Sequence, residues 1–173
     1  MTDSGYQTPH PSTASRNGLV ARANEQPSLA RWGGGVAIAS GALAFVTITA
    51  PWVDIIAGSL SLGDLADPAV GFTSRGTAVA AVVLYLLGGV IGLASGVVGV
   101  AAVKRTVLTA ATVGVFVSGL LSGSATVTGW SMIDRLTPDH AMNGPLLGGF
   151  VTLATLAAGA LLLVGRGVAA PRT

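Results

Sequence analysis

Four long apolar segments dominate the pattern of hydrophobic and polar positions along the chain. They cover about residues 33–53, 78–103, 106–128 and 145–165, and none contains Asp, Glu, Lys, Arg or His in its interior. About 20 apolar residues suffice to cross the roughly 30 Å hydrocarbon core of a membrane. Each run is continuously apolar rather than alternating, and backbone in lipid must satisfy its own hydrogen bonds, so each run predicts a helix. The pattern therefore predicts an all-α, integral membrane four-helix bundle.

Polar stretches divide the rest of the chain. Residues 1–31 hold prolines, serines and threonines but no long apolar run. Because such a segment buries too little apolar surface to offset the entropy of ordering it, a disordered tail is predicted there. The transmembrane domain then covers residues 32–166, with outer loops at 54–77 and 129–144. A second short tail covers residues 167–173.

The breaks between the apolar segments carry further information. Lys104 and Arg105 alone separate the second segment from the third, which predicts a tight antiparallel hairpin of helices. Pro51 is placed to end the first helix, and Pro145 suits the first turn of the fourth, where its missing N–H costs nothing. In the first outer loop, the alternating stretch Gly58–Leu62 predicts a short strand or hairpin.

Composition narrows the class of protein. Hydrophobic residues make up 51% of the 173 residues and charged residues 9%, with a mean hydropathy of +0.72. A soluble domain carries about 25% charged residues, so this composition argues against a soluble enzyme, a disordered regulator and a nucleic-acid-binding protein. Cysteine is absent from the sequence, which excludes disulfides and thiolate chemistry.

The distribution of basic residues predicts the orientation. With four spans both termini share one side, and of the nine Lys and Arg residues only Arg75 and Arg135 fall on the other side. Because Lys and Arg concentrate in cytoplasmic loops, both termini are predicted to be cytoplasmic. The expected location is the bacterial cytoplasmic (inner) membrane, with the loops at 54–77 and 129–144 outside.

Glycines at regular spacing are the strongest packing signal. Gly88, Gly92 and Gly96 follow one another at every fourth position of the second helix, which makes a groove where another helix can approach closely. The other helices repeat the theme more weakly, with Gly119 and Gly123 in the third and Gly148 in the fourth. Two interpretations stay open: packing within the bundle, or association with further copies or a larger membrane complex.

The polar residues inside the spans are hydroxyl-bearing. Ser118, Ser122 and Thr126 form a line along one face of the third helix. Bonds to nearby carbonyls are one interpretation of this line, and a narrow polar path is the other. Proton relays, ion-coupled carriers and haem anchors need ionisable residues within the spans. No such residue lies in the interior of the four predicted spans, which argues against these functions. No cofactor, no catalytic residue and no metal site is expected.

The outer loops hold the other candidate residues. Trp52 and Trp130 fall at predicted helix ends on the outer side, where indoles favour the headgroup level. They are also candidates for a common cap over the bundle. Asp134, Asp139 and His140 lie within seven residues and are weak candidates for binding a cation or sensing pH, against the simpler interpretation of a solvated acidic loop.

A family resemblance accompanies these patterns. The first helix ends in Ala50-Pro51-Trp52-Val53, an outer loop follows, Lys104-Arg105 breaks a hairpin, and Trp130 lies in the second outer loop. In this layout, residues 31–166 resemble four-helix membrane proteins of high-GC actinobacteria, most of all the tryptophan-associated transmembrane protein family. Arginine outnumbers lysine and Ala, Gly and Val are abundant, as is typical of such genomes. The resemblance implies an integral membrane protein and carries no catalytic residues over.

These patterns favour a non-enzymatic role. The leading expectation is a small scaffold or accessory subunit that packs against other membrane helices through glycine-lined faces. Its expected partners are membrane lipid and either further copies of the chain or a larger membrane complex, and no nucleic acid. One alternative is an oligomeric pore or small-molecule exporter. Another is an envelope-stress or phage-type membrane factor that acts through the N-terminal tail.

Overall fold

The computed structural model of the chain describes residues 13–55, 58–102, 104–134 and 143–168. Side chains are described within residues 29–53, 58–102, 104, 106–133 and 143–166. In chain order the elements are α1 (Thr13–Thr49), β1 (Pro51–Ile55), β2 (Gly58–Ser61), α2 (Leu62–Ala66), a 3₁₀ helix (Pro68–Val70), α3 (Arg75–Ala101), α4 (Arg105–Asp134) and α5 (Asn143–Val168).

Four of these helices are long and apolar enough to cross a membrane. The candidate spans are Leu29–Thr49, Arg75–Ala101, Thr106–Ile133 and Asn143–Arg166. Their outer faces carry large apolar side chains such as Leu120, and such faces suit lipid rather than water. The prediction of an all-α membrane bundle with four spans is confirmed at this level, and the fold indicates a multi-pass membrane protein.

The spans form an up-and-down bundle. α3 packs against α1 and α4, and α5 packs against α4 and α1, so that neighbours in the ring are antiparallel. Close approach depends on glycine at several crossings. A Cβ on Gly34 of α1 would lie 2.8 Å from the carbonyl oxygen of Gly96 in α3, and one on Gly41 would lie 3.0 Å from that of Gly89. Any larger residue at these positions would force the two helices apart.

The helix bounds differ from the predicted ones mainly at the first helix. α1 begins at Thr13, so part of the segment predicted as a disordered tail, residues 1–31, belongs to a helix that is continuous with the first span. The prediction considered only burial of apolar surface. Once a membrane span has formed a helix, each further residue that becomes ordered adds one backbone hydrogen bond. The helix can therefore extend without a hydrophobic core of its own. Residues 1–12 lie outside the described residues.

α4 and α5 extend beyond their predicted ends, whereas α3 begins and ends two to three residues before its predicted bounds of 78 and 103. α4 continues to Asp134 rather than ending at 128, and α5 runs from Asn143 to Val168 rather than from 145 to 165. The first of these extensions takes several residues from the predicted outer loop at 129–144, and the rest of that loop lies largely outside the described residues.

The segment between α1 and α3 is ordered. β1 and β2 pair as an antiparallel hairpin with Val53 opposite Leu60, as the alternation at Gly58–Leu62 predicted. Helix α2 follows directly, with Ser61 as its N-cap in a capping box with Asp64. Leu62 and Leu65 are buried in the same core cluster as residues of the spans. The loop is therefore a folded cap at one end of the bundle.

Candidate functional site

The glycine line of α3 lies inside the bundle. A Cβ on Gly88 would meet the Ser122 side chain of α4 at 2.9 Å, and one on Gly92 would meet the Ser118 hydroxyl at 2.7 Å. Gly96 faces the other way, toward Ile38 of α1. All three glycines are buried against helices of this same chain. Of the two interpretations left open by the sequence, these contacts correspond to packing within the bundle.

The remaining glycines of the predicted set lie near α5. Gly119 faces Leu156, where a Cβ would come within 3.0 Å, and Gly123 faces Thr152 at 3.2 Å. Gly148 lies directly against the Tyr85 hydroxyl of α3. Unlike the α3 line, Gly119 and Gly123 also border open space on the outside of the bundle.

That open space is a groove between α4 and α5. It has a volume of about 500 Å³ and is lined by Gly119, Leu120, Gly123, Ser124, Val127, Thr128, Thr152 and Leu156. Leu120 is 68% exposed on one of its flanks. The hydroxyl of Thr152 donates to the carbonyl of Gly148 within its own helix. The groove thus combines small residues, hydroxyls and apolar flanks at the depth of the spans.

Trp52 belongs to β1 of the hairpin, and its side chain fills the adjoining end of the bundle. Its side chain is fully buried, and its Nε1–H donates to the carbonyl of Thr47 at 2.8 Å. The ring lies edge-on to Tyr85 with centroids 6.2 Å apart, and it rests on Gly129 and Gly144, where a Cβ would overlap it. Such an arrangement satisfies the indole N–H while it buries the ring.

Trp52 is therefore covered by the protein itself, which the expectation of an interfacial indole did not include. The two glycines leave room for the indole between α4 and α5, and the free carbonyl near the end of α1 supplies its hydrogen-bond acceptor. Trp130, by contrast, is 45% exposed on the last turns of α4, as an interfacial indole requires. In α4, the Trp52 ring lies against Gly129, the residue that precedes Trp130.

Two of the three hydroxyls in the predicted line form hydrogen bonds that join α3 to α4. Tyr85 and Thr126 share a hydrogen bond of 2.7 Å between their hydroxyls, and Thr126 donates to the carbonyl of Ser122. Ser118 donates to the carbonyl of Gly88 at 2.7 Å. The Ser122 hydroxyl is buried and has no partner among the described residues. The line of hydroxyls therefore joins α3 to α4. At Thr126 the Tyr85 side chain of α3 blocks it.

The acidic candidates of the second outer loop receive no structural support. Asp134 ends α4, but its side chain is outside the described set, and Asp139 and His140 lie outside the described residues altogether. In the first loop the two described carboxylates are caps: Asp64 accepts from Ser61, and Asp67 accepts from the backbone of Ala69. Within the described part of the chain, no three His, Asp or Glu residues come together as a metal site would require.

The Ser61 contacts also set the ionisation of Asp64. Its carboxylate accepts from the Ser61 hydroxyl at 2.7 Å and from the Ser61 backbone N–H at 2.9 Å. Because both bonds favour the charged form, first the hydroxyl and then the backbone bond, the pKa of Asp64 lies below its ordinary value of 3.8. The residue acts as a structural cap of the hairpin.

Sequence reasoning missed the two most central contacts. These are the burial of Trp52 and the Tyr85–Thr126 bond across α3 and α4. A signal for the first was present, since Gly129 and Gly144 flank the loop opposite Trp52 at the same end of the bundle. The second had only a weak signal, an isolated tyrosine in an otherwise apolar helix.

Comparison of the chain with protein-family models, with curated proteins and with solved structures finds no match. The resemblance to the tryptophan-associated transmembrane protein family therefore stays a prediction.

Proposed function

We propose that the chain is a non-enzymatic accessory subunit of a bacterial cytoplasmic membrane, and that it binds a transmembrane helix of a partner protein in the groove between α4 and α5. The observation that carries this proposal is the groove itself, about 500 Å³ at the depth of the spans. The glycine line of α3, for which the sequence left such contacts open as one of two interpretations, is occupied by α1 and α4.

The lining of the groove suits a helix. In lipid, helices associate where small residues let the backbones approach and where hydroxyls bond across the interface. Gly119 and Gly123 supply the first property, and Ser124 and Thr128 the second. Apolar residues on the flanks would pack against the sides of a bound helix. The groove is formed within one chain, so a partner helix needs no rearrangement of the bundle to enter it.

The distribution of charge supports the orientation in this proposal. With four spans, all Lys and Arg residues except Arg75 and Arg135 are predicted to fall on the side of the two termini. The folded segment of β1, β2 and α2 then lies outside the cell, and both termini lie in the cytoplasm.

A single-chain pore has less support. The hydroxyls of Ser118 and Thr126, which would line such a path, are engaged by Gly88 and Tyr85 within the bundle. Trp52 fills the end of the bundle next to them. The groove is compatible with the other version of the pore alternative, in which several copies of the chain form the pore between them.

Blocking the groove tests the proposal. Ser124 is exposed, so the substitution Ser124→Leu fills the groove without entering the core. We expect affinity purification in mild detergent to recover a stoichiometric membrane partner with the wild-type chain and to lose it with Ser124→Leu. Val113→Leu, on an exposed face of the same helix, is the matched control and should keep the partner.

Two outcomes would contradict the accessory-subunit proposal. One is a wild-type chain that purifies without any other protein. The second is a partner that Ser124→Leu retains as fully as the control. If the wild-type chain purifies as a homo-oligomer that Ser124→Leu dissociates, the groove binds a second copy, and a flux assay in vesicles becomes the measure of the pore alternative.

A further inference from the structure

Three cationic residues from different parts of the bundle lie at one end of it. They are Arg31 in α1, Lys104 in the turn between α3 and α4, and Arg166 in α5. Arg31 and Lys104 are exposed and Arg166 is half-buried. This end is opposite the hairpin and lies away from the groove between α4 and α5.

Helix contacts place these three residues at one level. A Cβ on Gly34 would lie 2.8 Å from the backbone nitrogen of Val100. Arg31 lies about one helical turn farther toward this end of α1, and Lys104 follows four residues after Val100, just beyond the end of α3. A Cβ on Gly165 would lie 3.1 Å from the backbone nitrogen of Ala30. Arg31 and Arg166 are the residues that immediately follow this second contact pair, so the three cationic residues lie at the same end of α1, with α3 packed on one side of it and α5 on the other.

Charge at this end is unbalanced in the part of the chain whose side chains are described. The described carboxylates, Asp64 and Asp67, belong to the segment at the opposite end. Arg105 follows Lys104 directly in the sequence and adds a further positive charge to the same turn. A multivalent cationic surface of this kind attracts an anionic group from the membrane surface.

The surroundings of the three cations are those of a membrane lipid rather than of a soluble anion. Trp32, next to Arg31, is 70% exposed, and exposed indoles favour the headgroup level. Below the cations, Val100 in α3 and Val164 in α5 are exposed apolar side chains. A free phosphate would use only the cations, whereas a phospholipid would place its acyl chains against these valines.

We propose that the junction of α1, α3 and α5 binds an anionic phospholipid, with its phosphate among Arg31, Lys104 and Arg166 and its acyl chains along the exposed valines below them. This lipid site is separate from the groove between α4 and α5. Basic pockets between transmembrane helices bind anionic headgroups in this way, because each nearby Lys or Arg adds favourable electrostatic free energy.

Lipid binding to the full chain tests the proposal. Native mass spectrometry of the purified protein, titrated with phosphatidylglycerol or with phosphatidylcholine of the same acyl chains, gives both affinities. We expect preferential binding of phosphatidylglycerol. Each of Arg31→Gln, Lys104→Gln and Arg166→Gln should weaken that binding about fivefold, and the triple variant about a hundredfold.

Controls separate a lipid site from general effects. Arg75→Gln removes one charge at the other end of the bundle and should leave the affinity unchanged, as should the conservative Arg31→Lys. Excess inorganic phosphate should not displace the lipid. Circular dichroism of each single variant checks that it is folded.

Three results would overturn the proposal. They are equal affinities for the two lipids, a triple variant that keeps the wild-type preference, and displacement by phosphate alone, which would indicate a site for a free anion. Since these measurements do not involve the groove, their failure would leave the accessory-subunit proposal untouched.

Discussion

At the scale of single residues, glycine decides how this bundle packs. Neighbouring glycines differ completely in what they contact. Gly148 lies against the Tyr85 and Thr126 hydroxyls, whereas a Cβ on Gly149 would have nothing within 4 Å. The chain therefore contains an internal comparison in which the same substitution, one residue apart, should have opposite effects.

We expect Gly148→Ala to destabilise the bundle by about 1–3 kcal/mol, because the added methyl displaces the Tyr85 hydroxyl from its bond with Thr126. Gly149→Ala should be neutral or stabilising by up to about 1 kcal/mol, since alanine favours helix over glycine. Unfolding of the purified protein in detergent, followed by circular dichroism, gives both values.

A double variant tests the cause of the Gly148 effect. Removing the hydroxyl with Tyr85→Phe frees part of the space that the alanine methyl needs. Gly148→Ala combined with Tyr85→Phe should therefore cost less than the sum of the two single substitutions. Strict additivity, or equal effects at Gly148 and Gly149, would show that the Tyr85 contact does not restrict this position.

At the scale of elements, the spans were predictable and their mutual arrangement was not. Continuous apolar runs longer than the hydrocarbon core leave helix as the only solution, so their existence follows from composition alone. Which faces meet depends on three-dimensional packing. The sequence shows Gly88, Gly92 and Gly96 as a line, but not that the line divides, with Gly96 turned to α1 and the other two to α4.

The groove between α4 and α5 was likewise only partly predictable, because the sequence does not show which helix faces meet. Gly119 and Gly123 were identified from their spacing, yet the groove also needs Ser124, Thr128 and the facing residues of α5, which only packing brings together. The burial of Trp52 by its neighbouring helices could not be predicted for a related reason. Amphipathic preference describes an isolated indole, whereas here a fitted space and a free carbonyl outweigh it.

The hairpin and helix α2 provide a prediction at the element scale that depends on pH. Because the pKa of Asp64 is lower in the folded segment than its ordinary value of 3.8, its carboxylate stabilises the segment above that pH. This stabilisation is lost as the pH falls from about 3.8 through the lower value in the folded state. Ser61→Ala should raise the pKa of Asp64 toward 3.8 and weaken the cap of α2 by about 1 kcal/mol.

Carboxyl chemical shifts and amide hydrogen exchange of the segment, measured between pH 2 and pH 6, check this prediction. Protection of the wild-type amides, relative to the intrinsic exchange rate at each pH, should fall toward the acidic end of the range, with a midpoint below that of Ser61→Ala. Identical midpoints for the two proteins would mean that the Ser61 bonds do not govern Asp64.

At the scale of the whole molecule, the bundle is polarised. One end carries the folded segment of β1, β2 and α2, and the other carries Arg31, Lys104 and Arg166. The proposed partner helix would bind at the side, in the groove between α4 and α5, while the lipid would bind at the basic end. The two proposals thus use different surfaces of the same bundle, and both depend on which end faces the cytoplasm.

The absence of cysteine from the sequence makes that orientation directly measurable. Ser59 in β2 and Lys104 are both exposed and lie at opposite ends of the bundle, so Ser59→Cys and Lys104→Cys each supply one reactive thiol. Since Lys and Arg concentrate on the cytoplasmic side, a membrane-impermeant maleimide should label Ser59→Cys in intact cells. It should label Lys104→Cys only after the membrane is permeabilised, while the wild-type chain stays unlabelled throughout. The reverse pattern would place the basic end outside and require the lipid of the proposed site to come from the outer leaflet. Labelling of both variants in intact cells would mean that the chain inserts in two orientations, and the groove would then be presented to partner helices in both.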